Sequence, residues 1–187
     1  MANLDRLVSS TEPSLTFDQN LVYGKVLKAV DDECEAIFFL DSPGETGRTV
    51  LLNLLLAKIR SNRQVTLAVA SLGIAATLLE GGRVSHSMFK LPLDIGHLET
   101  LVCNICKGTR LAQLLQTTKL IVWDECTMAH KATLEALDRT LKDLYNSDKL
   151  MGGVCVLLAG DFHQALSVIP KGTPADELKA CLKDSYI

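Results

Sequence analysis

Asp41-Ser42-Pro43-Gly44-Glu45-Thr46-Gly47-Arg48-Thr49 is the stretch on which the reading of this chain turns. It follows a short apolar run, Ala36 to Leu40 (A-I-F-F-L), and precedes Val50 to Ile59, where apolar residues recur at helical spacing. Strand, glycine-containing loop and helix are the context of a phosphate-binding P-loop, whose template is G-x-x-x-x-G-K-[ST]. Ser42 stands here for the first Gly and Arg48 for the Lys. In such a loop, backbone N–H groups and the helix N-terminus cradle phosphate oxygens. Ser42, Gly44, Glu45, Thr46, Gly47, Arg48 and Thr49 are therefore the candidate nucleotide-binding residues. Gly44 and Gly47 supply freedom where a Cβ would obstruct, and Thr49 can place its hydroxyl on Mg²⁺. Arg48 keeps the positive charge, but its planar fork is larger than an ammonium and differs from it in geometry. The same nine residues also fit an ordinary strand-to-helix turn.

Working outward, Leu120 to Trp123 (L-I-V-W) predicts a second strand that ends in acids, Asp124-Glu125. An apolar strand followed by two acids is a Walker-B pattern. Its Asp would hold Mg²⁺ and its Glu would orient or deprotonate the attacking water. Two solvated carboxylates at a strand end are the plainer reading. Val154 to Ala159 (V-C-V-L-L-A) predicts another strand, closed by Gly160-Asp161-Phe162-His163-Gln164. Asp161 and Gln164 there could sense a terminal phosphate, or Asp161 could simply cap a helix. Val65 to Ala70 predicts a further buried strand.

Helices are predicted over Leu15 to Val30, Ser71 to Leu79, Leu111 to Thr117, Lys131 to Tyr145 and Asp176 to Leu182. Leu134, Leu137, Leu141 and Leu144 give the fourth of these an apolar stripe. Residues 1–14 read as a polar, loose tail, Asp31 to Glu35 as a solvated turn, and Leu91 to Gly108 as a loop. Short apolar strands alternating with helices predict an α/β domain, with a mostly parallel sheet covered on both faces. Ligands in such sheets sit at the carboxyl ends of the strands. The P-loop, Asp124-Glu125 and Asp161 all follow strands, so they are expected at one edge.

A length of 187 residues suggests one domain, and 48% hydrophobic residues suit a packed core. A net charge of −3 excludes a bulk polycation that coats nucleic acid, so any such contact is local. The first residues (M-A-N-L-D-R-L-V-S-S) lack the pattern of a signal peptide, and no apolar run approaches 20 residues. An intracellular, reducing setting is expected. Six cysteines are present, three of them in or beside apolar runs. Cys103-Asn104-Ile105-Cys106 is a lone C-x-x-C, and a structural zinc site needs four ligands, so these read as loop cysteines without a role. Ser85-His86-Ser87 with Lys90 forms a small basic, hydroxylated cluster that could touch nucleic-acid phosphates or be plain surface. Trp123 reads as core.

Taken in order, these segments resemble the Pif1-type DNA helicases, including those carried by Helitron transposons. The resemblance rests on Ala70 to Pro92, L-I-V-W-D-E-C-T-M, E-A-L-D-R-T-L-K-D-L and G-D-F-H-Q-A-L-S-V-I-P, and it runs from about Leu15 to the C-terminus. It implies a P-loop NTPase of RecA-like fold, a three-layer sandwich with a mostly parallel central sheet, which uses ATP and Mg²⁺ to unwind DNA and has single-stranded and forked DNA as partners. The processes implied are DNA repair, recombination and telomere maintenance, in the nucleus or the mitochondrion. By the same resemblance Gln19 reads adenine, and Arg48, Glu125 and Gln164 are catalytic. Thr49 and Asp124 hold the metal, and His86, Ser87 and Lys90 touch DNA.

Arg48 for Lys, Ser42 for Gly and His163 for Arg depart from the family pattern, as does Ser167 for Pro. The family places ATP between two RecA-like domains, the second of which supplies an arginine finger. Such fingers contribute on the order of 10³–10⁵ in rate in related NTPases. This chain is expected to be the first domain alone, in a truncated or degenerate form. A non-catalytic, nucleotide- or DNA-binding remnant is the rival reading. A small P-loop kinase ranks last, because no arginine-rich lid is seen.

Overall fold

A computed structural model describes residues 2–43, 46–92, 101–163 and 180–187. Its frame is a sheet of five parallel strands: β1 (Ile37–Asp41), β2 (Val65–Ala70), β3 (Arg83–Val84), β4 (Thr118–Asp124) and β5 (Cys155–Gly160). Their order across the sheet is β1-β5-β4-β2-β3. Each strand is joined to its neighbour in parallel, with Leu40 opposite Ala159, Ile121 opposite Val156 and Val69 opposite Trp123. α2 (Phe17–Asp31) leads into β1; parallel neighbours require crossovers, and the later helices supply them: α3 (Arg48–Ser61), α4 (Gly73–Leu78), α5 (Ser85–Phe89), α6 (Arg110–Thr117) and α7 (Lys131–Tyr145).

Alternation along the strands divides the core into two layers. Leu120, Val122, Cys155, Leu157 and Ala159 pack with Val26 and Val30 of α2 and the leucines of α3. Ile121, Trp123, Val156 and Leu158 point the other way, onto Ala112 and Leu115 of α6 and the Leu134, Leu137, Leu141 and Leu144 stripe of α7. Both faces of the central strands are thus buried, which is why residues 67–70, 120–123 and 155–159 are continuous apolar runs rather than alternating ones. Each fully buried leucine contributes about 1.5–3 kcal/mol.

The expected loose tail is instead helical. α1 spans Ala2–Thr11, and a 3₁₀ turn, Glu12–Ser14, follows it. The cause lies in α3, which buries Leu51, Leu52, Leu54, Leu55, Leu56, Ala57 and Ile59, apolar residues on more than one side. A helix apolar on several faces needs cover beyond the sheet. Val8 is buried and Leu4 packs in the same cluster as α3. Leu4, Leu7 and Val8 carry the helical spacing that the polar composition of the segment obscured.

α2 begins at a capping box. Thr16 Oγ1 accepts from Gln19 N at 3.3 Å, and Gln19 Oε1 accepts from Thr16 N at 3.0 Å. The acidic stretch after α2 is exposed, with Glu33 at φ 50° and paired to Lys119 at 2.5 Å. α5 and the two-residue β3 lie in a stretch that sequence left unassigned between the helix expected to end at Leu79 and the loop expected from Leu91. Residues 93–100 of the expected loop lie outside the described residues, as do 176–179 of the expected last helix. Leu182–Asp184 is a 3₁₀ turn.

Asp138 of α7 is fully buried and ties the carboxyl-terminal end of the chain to the core. It accepts from Met151 N at 2.7 Å and Tyr186 Oη at 3.1 Å, and it pairs with Lys142 at 2.8 Å. No helix among the described residues is long and apolar enough to cross a membrane.

Candidate nucleotide site

The strand order gathers the predicted loops. β5 lies between β1 and β4, so the ends of the three strands are successive neighbours at the carboxyl edge. Ser42 N donates to Gly160 O at 3.1 Å, and Ser71 N donates to Asp124 O at 3.1 Å, which extends the pairing past the strands into the loops. Chain reversal at such an edge leaves the crevice in which α/β sheets hold ligands.

Gly47 is the N-cap of α3 at φ 75°, in the left-handed region, where a glycine is required. Ser42 is not among the positive-φ residues, so its backbone is one that any residue adopts. Its hydroxyl bonds the Thr46 hydroxyl, which is within 2.9 Å of the Pro43 carbonyl, and this closes the loop on itself. Serine at this position is therefore compatible with the turn. Gly44 and Glu45 lie outside the described residues. Thr49 is the second residue of α3 and half-buried.

Gln19 Nε2 donates to the Thr46 carbonyl at 3.0 Å, while its Oε1 serves the α2 cap. One side chain thus joins the start of α2 to the loop. A cavity of about 270 Å³ opens beside it, lined among others by Asp18, Gln19, Leu40, Ser42, Thr46 and Arg48. A larger cavity, about 530 Å³, lies at the opposite edge, where β4 and β5 begin at Thr118 and Cys155, and contains none of the predicted site residues. Ligands of parallel sheets favour the carboxyl edge, so the smaller cavity is the relevant one.

Asp124 is buried and Glu125 stands at φ 49° at the start of a 3₁₀ turn, Cys126–Met128. Glu125 N donates to Asp124 Oδ1 at 2.9 Å. Arg48 reaches both acids. Its Nε lies 3.1 Å from Asp124 Oδ1, its Nη2 bonds Glu125 Oε1, and its Nη1 donates to Ser42 O at 3.0 Å. Burial pushes the Asp124 carboxyl above the usual range, against the Arg48 charge and the Glu125 N–H, which pull it down. Glu125 Oε2 is buried with no hydrogen-bond partner among the described residues.

Mg²⁺ does not fit this donor set as it stands. Asp124 Oδ1 is engaged by a guanidinium and an amide, and Glu125 Oε1 by the same guanidinium. Sequence placed Arg48, Asp124 and Glu125 at one edge but missed their direct pairing. The signal available was the reach and fork of an arginine at a lysine position.

Asp161 is buried, and its Oδ1 accepts from His163 N at 2.7 Å, a turn contact of the capping kind. His163 is exposed, and Gln164 lies outside the described residues. A Cβ on Gly160 would stand 2.8 Å from Thr127 Cγ2, so the end of β5 is pressed against the turn after β4.

His86, Ser87 and Lys90 are not part of this cluster. They lie on α5 and its end, which follow β3, the strand at the opposite edge of the sheet from β1. Met88 and Phe89 anchor α5, Phe89 against Trp123 with ring centroids 5.6 Å apart. That anchoring leaves Ser87 and Lys90 exposed and His86 half-buried. Trp123 is core, as expected, and donates from Nε1 to Ser71 Oγ at 3.0 Å.

Comparison with known proteins agrees with this fold. The family model described as PIF1-like helicase matches residues 14–187. The ATP-dependent DNA helicase Pif1 of Psychrobacter sp. is 32% identical over 149 residues, which are 80% of this chain and 22% of that protein. The PIF1 helicase of Candida albicans is 29% identical over 88% of this chain and 18% of its own length. This chain thus spans about a fifth of the curated relatives it matches. Among solved structures, the Pif1 helicase from Bacteroides in complex with ADP-AlF3 and single-stranded DNA superposes with a TM-score of 0.72 at 26% identity. That match covers 92% of this chain and 39% of that one. The parallel sheet with helices on both faces is the RecA-like P-loop NTPase fold of these neighbours.

Proposed function

We propose, from the premise that this chain belongs to the PIF1-like helicase family, that it is the first RecA-like ATPase half of a DNA helicase. In this reading it binds a nucleoside triphosphate at Ser42–Thr49 and single-stranded DNA at α5. The observation that carries it is the strand order. β1-β5-β4 sets the phosphate loop, the Asp161 turn and the Asp124-Glu125 pair side by side.

The role of each group follows from its place. Backbone N–H groups from Gly47 onward face an anion at the positive end of a 14-residue helix. Gln19, tied to the loop through Thr46 and lining the cavity, borders the place of the base. Ser87 and Lys90, exposed on an anchored helix, offer a hydroxyl and a charge to backbone phosphates. Such contacts position a strand without reading its sequence. The family activity, ATP-driven DNA unwinding in repair, recombination and telomere maintenance with single-stranded and forked DNA as partners, belongs to the complete helicase. An intracellular, nuclear or mitochondrial setting goes with it.

A second reading is favoured by one contact. Glu125 is the acid that would activate water, and one of its oxygens is held by Arg48. On that ground the chain binds nucleotide and DNA without turnover. ATP hydrolysis, measured with and without single-stranded DNA, separates the readings. No stimulated turnover is expected from the unaltered chain, while stimulated turnover would sink the non-catalytic reading. Failure to bind both a fluorescent ATP analogue and a labelled single strand would sink the proposal itself. An Arg48→Lys, His163→Arg version with a second domain supplied tests whether those two positions are the block.

A further inference from the structure

Two carboxylates at the end of a strand attract a cation, and the pair after β4 already holds one from within the chain. Arg48 commits Nε to Asp124 at 3.1 Å, Nη2 to Glu125 and Nη1 to the Ser42 carbonyl at 3.0 Å. Three of the five guanidinium N–H donors are at least partly engaged by these contacts. The Arg48 side chain is 9% exposed, and those of Asp124 and Glu125 are 3% and 15%, so the trio is largely shielded from solvent. A lysine could not span the arrangement. Its ammonium is a single point charge, whereas the planar fork meets two carboxylates and a carbonyl at once.

For a hydrated divalent ion to reach Asp124 Oδ1 and Glu125 Oε1, the oxygens that Arg48 holds, the guanidinium would have to leave. Its departure would uncover the buried Asp124 and the half-buried Glu125 and strip three contacts from the arginine, and unpairing buried charges is costly. The anchor to Ser42 makes this harder, because moving Arg48 also releases the first residue of the phosphate loop.

Resting on the reading that Ser42–Thr49 takes a nucleotide, we propose that the Arg48 guanidinium occupies the place of the divalent cation. The site then accepts a nucleoside di- or triphosphate free of Mg²⁺, and the metal adds nothing to its affinity. The phosphates are addressed by the N–H groups at the start of α3 and by the guanidinium N–H groups not already committed. Asp124 and Glu125 serve as the seat of the arginine rather than as a metal site. Arg48 is thereby a specificity-determining residue that selects metal-free over metal-bound nucleotide.

The test compares the affinity of N-methylanthraniloyl-ADP for the full chain in excess EDTA and in millimolar Mg²⁺. A difference under threefold is expected, and tightening by Mg²⁺ of threefold or more would overturn the inference. In Arg48→Lys the acids are freed, and Mg²⁺ is expected to tighten binding more than tenfold. A variant as indifferent to Mg²⁺ as the parent would also overturn it. A second arm uses Mn²⁺ alone, without nucleotide, followed by electron paramagnetic resonance. The unaltered chain is expected to leave the free-ion signal intact and Arg48→Lys to deplete it. Mn²⁺ bound by the unaltered chain would refute the inference. Should no nucleotide bind in either buffer, the proposed function fails and the Mn²⁺ arm alone decides about Arg48. Should Arg48→Lys not fold, the unaltered chain in both arms still decides.

Discussion

A Cβ on Gly47 would stand 2.9 Å from Gln19 Nε2, because that nitrogen crosses the loop to donate to the Thr46 carbonyl at 3.0 Å. The start of α2 and the start of α3 are therefore set against each other at a single glycine. Two separate demands fall on that residue, a left-handed φ of 75° and the absence of a side chain.

Gly47→Ala meets both obstacles at once. The left-handed conformation costs a residue with a Cβ about 1–2 kcal/mol, and Gln19 must give way by some tenths of an ångström in addition. Urea unfolding is expected to show a stability lowered by that amount, as a lower midpoint with an unchanged slope. Adding Gln19→Ala should recover the steric part only. A midpoint equal to that of the parent would refute the left-handed assignment.

Much of this site was legible because its parts have local causes. An apolar strand, a glycine-bearing turn and an apolar helix mark a strand–loop–helix unit of P-loop type from local sequence, and L-I-V-W-D-E carries its acids at the strand end by itself. The Arg48 bridge was not legible, because the side chain's partners are set by the strand order, and Glu125 is 77 residues away in sequence. Gln19 was read as an adenine contact by resemblance alone. Its two hydrogen bonds, one to its own cap and one to the loop, depend on where α2 docks. The α1 helix was missed because its apolar residues are few and its cover of α3 is a tertiary matter. Asp138 gave no signal either. It sits on the apolar face of α7, where a charge is tolerated only because Met151, Lys142 and Tyr186 meet it there.

Asp138→Ala removes all three of those contacts from a fully buried position. It leaves Met151 N without an acceptor in a turn at φ 51° and leaves Lys142 without its partner. Breaking a buried pair costs about 3–5 kcal/mol. The lower end is expected, since the Lys142 side chain is 29% exposed and can turn to water. Tyr186→Phe loses one hydrogen bond of the set and should cost about 1 kcal/mol. Both are read by chemical denaturation, and an Asp138→Ala variant as stable as Tyr186→Phe would contradict the network.

The cysteines divide by burial in a way that alkylation can resolve. Cys34 and Cys106 are exposed, whereas Cys103, Cys126 and Cys155 are buried. Burial pushes the Cys103 thiol up to about 11 and the Cys155 thiol up to about 12, and raises Cys126 as well, with Asp124 adding to it. Thiolate is the reactive form, so these three should resist iodoacetamide at pH 8. Mass spectrometry of the native chain is expected to show rapid labelling of Cys34 and Cys106, and of the buried three only after urea. Equal rates at Cys103 and Cys106 would contradict the placement of the C-x-x-C pair, one thiol in and one out.

His130 makes the fold sensitive to mild acid. It is the N-cap of α7, and its Nδ1 accepts from Ala132 N at 3.0 Å, which only the neutral ring can do. Burial lowers its pKa below the ordinary 6.5, with Lys131 adding to the effect and Glu135 opposing it. The unfolded chain therefore takes up the proton first as pH falls. The stability contributed by the neutral ring is full above pH 6.5 and is lost as pH falls through the lowered folded value. The loss should approach the size of a helix cap, about 1 kcal/mol. His130→Asn keeps an N-cap acceptor and removes the titration. Urea unfolding from pH 7 to pH 5 should then show a shallower decline for His130→Asn than for the parent. Parallel profiles would mean that the ring does not cap α7 through Nδ1.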